Sequence, residues 1–376
     1  MSEYQYYEFR TTDRTLTAAE ISELRQLSSR AEITSTSFIN SYSYGDFRGN
    51  PDRLMERYFD LFVYVANWGT QHLMVRLPVR GIDIPTLEAY AGGGFSWWVK
   101  DEFAILSFQH SDDGGGEWEQ GERWMPDLAP IRDELLNGDL RPLYLGWLAG
   151  VEGGIDCDVA PDEVEPPVPS GLSRLTVAQS GLVEFLRIDA DLLKVAAERS
   201  EENADTAPTQ EQLALWLKSR SAVERDLWLF DLLGDSGPAT RSEVLLQFRQ
   251  SLRKNSSAAV HESTPRRTCE ELQSAAEESR QCALQQSAEN AAKLRNTQLD
   301  ELARNIDSAW REVQQTLEAK KPALYDLATK TLKDLRDLAE RDGQMEPFQD
   351  RLRELVRRHK TKTAFIGKLQ QTGLKW

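Results

Sequence analysis

Along the first ~110 residues apolar side chains recur mainly at every second position, and from about Thr176 onward at every third or fourth. This change of period predicts an α+β chain: an N-terminal mixed sheet with helices, then an all-helical body, then a long C-terminal helix plus a helical hairpin. Tyr4 to Phe9 reads as an aromatic-rich strand. Thr17-Ala-Ala-Glu20 has the spacing of a capping box, with Ile21, Leu24 and Leu27 on the helix it opens. A strand is expected from Ile33 to Tyr44, with Phe38, Tyr42 and Tyr44 on one side. Asn50-Pro51 starts a helix whose apolar face is Leu54, Met55, Tyr58 and Phe59. Leu61 to Ala66 is apolar on both parities, as in a central strand covered on both faces. Gln71 to Leu77 alternates, and Phe95–Val99 with Phe103–Phe108 reads as a hairpin turning at Lys100-Asp101-Glu102.

Residues 111–125 form a glycine-rich acidic stretch, expected to be mobile, and Pro130 to Trp147 is helical in pattern. Asp156 to Ser170, with four prolines, reads as a linker, and Ser256 to Thr264 as a second one. Between them, Asp189 and Thr209-Gln-Glu-Gln212 are helix starts, and Leu227, Leu229, Phe230, Leu232 and Leu233 are dense enough for a core helix stopped at Gly234. Thr268-Cys-Glu-Glu271 opens a helical pattern free of Gly and Pro as far as Lys320. Leu299, Leu302, Ile306, Trp310, Val313 and Leu317 make one stripe along its second half, expected to be buried against a hairpin over 322–360. Residues 269 to ~295 carry a thin stripe, so they are expected to project or to dock on another chain. The segments are therefore 1–155, 171–255 and 265–376.

The ending resembles the helical tails of some uncharacterised bacterial proteins, including certain SWIM zinc-finger proteins. The residues concerned are Tyr325-Asp326, Leu332 to Glu340, and Arg357-Arg358-His359 to Leu374. The paired Cys and the Cys-x-His that hold zinc in that family are absent from this chain, so the resemblance implies a helical tail, and no zinc or DNA role carries over from it. The first 260 residues resemble only bacterial proteins of no known activity.

Charge alters the picture of possible partners. The 376 residues carry a net charge of −16, yet residues 101–170 hold 17 acids against Arg123, Arg132 and Arg141, and residues 345–376 hold eight basic against three acidic side chains. The basic tail (Arg351, Arg353, Arg357, Arg358, Lys360, Lys362) could meet an acidic protein or nucleic acid. No run of ~18 apolar residues could span a bilayer. The N-terminus lacks a basic-then-apolar leader, and three scattered cysteines make no disulfide framework, so a cytoplasmic protein is expected.

Candidate chemistry is sparse. His110, Asp112 and Asp113 offer imidazole and carboxylate to a metal, which would suit a metal-dependent hydrolase, but no HExxH spacing supports them and the adjoining glycines loosen the segment. Asp46 and Arg48 precede a helix start and could bind an anion or simply pair with each other. There is no Gly-x-Ser-x-Gly elbow, and the acidic surroundings of Cys157 disfavour its thiolate. Trp118 and Trp124, in or beside the acidic loop, are candidates for contact with a partner. The reading that follows is a non-enzymatic, cytoplasmic protein-interaction or scaffold subunit with no cofactor, self-associating or binding a protein through its C-terminal helices. A metal-dependent hydrolase and a nucleic-acid accessory protein are the alternatives.

Overall fold

The computed structural model describes residues 4–111, 121–151, 159–202, 210–234, 240–241, 243–245, 247–248, 251, 266–319, 324–374 and 376. The fold is α+β and divides into two compact units, residues 1–280 and 281–376.

The first unit is built on seven strands: β1 (Gln5–Arg10), β2 (Glu32–Ile33), β3 (Ser37–Tyr42), β4 (Leu61–Ala66), β5 (Gln71–Pro78), β6 (Phe95–Lys100) and β7 (Phe103–His110). Their order is β2-β3-β1-β4-β5-β7-β6, and every pairing is antiparallel, a sharper result than the mixed sheet expected. The double apolar parity of β4 has its cause here. Leu61, Val63 and Val65 enter one core with Leu73, Val75, Leu106 and Phe108, while Phe62 and Tyr64 turn to another with Phe9, Phe38, Met74 and Ile105.

Helices α1 (Ala18–Leu27) and α2 (Pro51–Arg57) cover the second of these faces. Thr17 caps α1 in the reciprocal box with Glu20 that its spacing predicts, and Asn50 caps α2 through Arg53 N–H. The other face carries α3 (Ile84–Tyr90), α4 (Trp124–Leu128), α5 (Pro130–Leu136), α6 (Arg141–Leu148), α7 (Val177–Phe185) and α8 (Ala190–Ala197). Gly146 permits the approach of α6, since a Cβ there would lie 2.7 Å from the Phe108 ring and 2.9 Å from Phe95. Under α2, Asp60 is buried and paired with Arg76 at 2.8 Å. Burial alone would raise its pKa, but Arg76 and Arg132 override this and hold it below the usual carboxylate range.

Several expectations are corrected. The strand placed at 33–44 is two strands, because Thr34 to Ser37 close a turn in which the Thr36 N–H donates to Thr34 Oγ1. Tyr44 lies beyond it, exposed. The described part of the proline-rich stretch is not a loose linker. Glu165 there is buried, bonded to Arg267, and Pro167 accepts from the Tyr90 hydroxyl. Proline's missing donor is no obstacle where only carbonyls and side chains are engaged. Helices α7 and α8, from segment 171–255, share the core of the sheet.

Helix α11 (Cys269–Arg304) begins in the first unit and ends in the second. Cys269, Leu272 and Ala276 are buried in the sheet's core, so residues 269–280 do not project. Residues 281–294 are exposed throughout. The long pattern also breaks at Asn305 (φ −127°, ψ 26°), where α12 (Ile306–Glu318) begins. The second unit closes with α13 (Tyr325–Arg341), α14 (Met345–Arg358) and α15 (Thr363–Gln371). Trp310, Val313 and Leu317 pack as the stripe predicts, against Leu332, Leu335, Phe348, Leu352, Phe365 and Leu369. Ile306 departs from it at 38 % exposure, because the break at Asn305 resets the helical phase.

Candidate functional site

Helices α9 (Gln210–Lys218) and α10 (Ala222–Leu232) form a short hairpin in the first unit. Local chemistry builds it. The Ser219 hydroxyl donates to the Trp216 carbonyl at 2.6 Å, closing α9, and Ser221 opens α10 through a capping box with Glu224. Hydrogen bonds from the Ser221 hydroxyl and backbone hold the Glu224 carboxyl below its ordinary range, so it is ionised at neutral pH.

Three aromatic rings anchor the pair. Trp216 is buried, stacks on Trp228 with centroids 5.7 Å apart, and meets Phe248 at 5.3 Å. Arg220 lies over the Trp216 ring at 4.8 Å. Among the described residues the indole Nε1 of Trp216 has no hydrogen-bond partner.

Among the described residues nothing covers the rest of the hairpin, which corrects the expectation of a core helix at 227–233. No residue of α10 is buried. Leu215, Val223, Leu227, Leu229, Phe230, Leu232 and Leu233 are each between 43 % and 83 % exposed. The four that share one side of α10, Val223, Leu227, Phe230 and Leu233, offer on the order of 500 Å² of apolar surface. That lies in the upper part of the roughly 300–600 Å² of the largest patch on a typical monomer, a patch that is often functional. Val223, Leu227 and Phe230 stand at i, i+4 and i+7, one continuous stripe facing solvent. Trp228 turns to the opposite side, toward Trp216. The sequence held a signal for this. A helix with one apolar face for its own core and a second one elsewhere has a face to spare.

The residues singled out from the sequence fall elsewhere. Trp124 is fully buried and packs edge-on to Phe185 at 5.0 Å, so it is core rather than contact surface. Its position at the start of α4 turns it under α7. Trp118, Asp112 and Asp113 lie outside the described residues, as do Cys157 and most of the acidic stretch. His110 ends β7, opposite Gln71, and among the described residues no group of three His, Cys, Asp or Glu could hold a metal. Asp46 does not pair with Arg48; it accepts from Gln5 Nε2 at 3.0 Å.

The basic tail is largely spent on neighbouring acids. Arg351 pairs with Asp307, Arg353 with Asp350, and Arg357 and Arg358 both with Glu354. Lys362 donates to the Leu317 carbonyl. Lys360 is exposed beyond α14. A cleft of about 500 Å³ in the second unit is lined by Arg311, Arg351 and Arg358 together with Asp307 and Glu354, so its charges are mixed.

One half-buried group on the sheet escaped the sequence reading. The Nε2 of His72 lies 2.8 Å from the Ser107 hydroxyl on neighbouring strands. Burial depresses its pKa to about 4. Between pH ~6.5 and 4 the unfolded chain takes up this proton and the folded chain does not, so stability is lost as pH falls through that window, by up to ~3 kcal/mol. His72→Gln should therefore unfold with a shallower pH dependence over that range than wild type. Identical slopes in urea titrations would refute the assignment.

No family model, curated protein or solved structure matches this chain. Among the described residues no helix is long and apolar enough to cross a membrane.

Proposed function

We propose that this protein is a non-enzymatic interaction subunit whose docking surface is the α9–α10 hairpin and whose occupant is an amphipathic helix of another protein. The observation that carries the reading is the stripe Val223, Leu227, Phe230, exposed on a helix already anchored through its other side by Trp228. Helix-in-groove recognition uses anchors at this spacing. Leu233 widens the surface beside the stripe. The free thiols of Cys269 and Cys282 suit the reducing cytoplasm, where we place the protein.

The test uses a fluorescent helical peptide bearing leucines at i, i+4 and i+7. The full chain should bind it, and Leu227→Ser/Phe230→Ser should weaken binding at least about tenfold. Both side chains are exposed, so the double variant should keep its helical circular dichroism, with stability changed by about 0.5 kcal/mol per site or less. A peptide that binds both proteins equally would overturn the reading.

A further inference from the structure

We infer that the helix received by the α9–α10 surface carries basic residues along both its flanks; this rests on the docking reading above. The argument comes from the charges bordering the stripe. At about 100° per residue, Glu224 and Asp231 fall on one flank of Val223, Leu227 and Phe230, and Asp226 falls on the other. Arg225 falls on the far side of the helix. All three acids are exposed, and Glu224 is held ionised by its cap. The apolar stripe is thus rimmed by negative charge on both edges.

This rim discriminates between occupants. A second copy of the chain would bring the same stripe. Under a twofold axis, antiparallel pairing of two α10 helices sets each flank against its own copy, and parallel pairing sets each flank against the other. Either way acid meets acid, and like charges across an interface oppose association. A helix flanked by Lys or Arg meets complementary charge on both edges. The net charge of −16 adds a long-range attraction for such a segment.

Two synthetic peptides test this, identical in their leucine stripe, one flanked by lysines and one by glutamates. Their binding to the full-length chain is followed by fluorescence anisotropy at about 50 and 500 mM salt, which shortens the screening length severalfold. The lysine-flanked peptide should bind at least about tenfold tighter at low salt. The advantage should shrink at high salt and reverse in Asp226→Lys/Asp231→Lys. It should also require Phe230, because attraction to net charge alone would survive Phe230→Ser. Equal binding of the two peptides would overturn the basic-flank inference while leaving the docking reading standing. Lysine-peptide binding unaffected by Phe230→Ser would also overturn it. If neither peptide binds, both fall. A dimer in sedimentation equilibrium that reverts to monomer in Phe230→Ser would make a second copy the occupant and overturn the inference.

Discussion

Arg267→Ala should destabilise the first unit by about 3–5 kcal/mol, the usual cost of leaving one partner of a buried ion pair behind. Arg267 donates from Nε and Nη2 to the two oxygens of Glu165, at 2.8 and 2.7 Å, and from Nη1 to the Val195 carbonyl at 3.0 Å. Glu165 is 1 % exposed and also accepts from the Tyr144 hydroxyl at 2.5 Å. Burial, then the Glu165 carboxylate, pushes the Tyr144 pKa far up, so this hydroxyl stays a donor. One constellation therefore links α6, α8, the proline-bearing segment and the approach to α11. Alanine at 267 strands a carboxylate in the interior and orphans the Val195 carbonyl. The double variant Glu165→Leu/Arg267→Met removes both charges and should recover part of the loss, since the Tyr144 hydroxyl and the Val195 carbonyl still lose these partners. Urea unfolding by circular dichroism measures all three. An Arg267→Ala loss under about 1 kcal/mol would show that the pair is not load-carrying in the unit.

The second unit should respond as strongly to its aromatic core. Phe365 is fully buried, lies 6.0 Å from the Tyr325 ring in edge geometry, and belongs to the cluster with Leu332, Leu352 and Leu369. Phe365→Ala removes its apolar burial and leaves a cavity, at a cost of about 3–5 kcal/mol. Hydrogen exchange should accelerate across α12 to α15, while β4 and β5 of the first unit keep their protection. Ile306→Asp provides the contrast. At 38 % exposure its new carboxylate reaches water, so the cost should stay near 1 kcal/mol or below. Comparable acceleration in the two variants would contradict the assignment of Ile306 to the surface.

Much of the local structure follows from spacing within a few residues. The boxes at Thr17 and Thr268, the cap at Asn50, the two-faced β4 strand, the β6–β7 hairpin and the stripe Trp310–Val313–Leu317 all depend on neighbours in the chain. A donor three residues on, or an apolar partner four on, is present whatever the rest of the protein does. Burial is different, because it depends on which distant element arrives. Trp124 stands beside an acidic, glycine-rich stretch, and its place in the core is set by distant elements, among them the helix that carries Phe185. Glu165 and Arg267 lie 102 residues apart, and no local pattern pairs them. Leu227, Leu229, Phe230 and Leu233 have the composition of a core helix, and the chain brings nothing over them among its described residues. An apolar helix records its demand for a partner in its own sequence. Whether the same chain meets that demand, or leaves it for another protein, is settled by the packing of every other element.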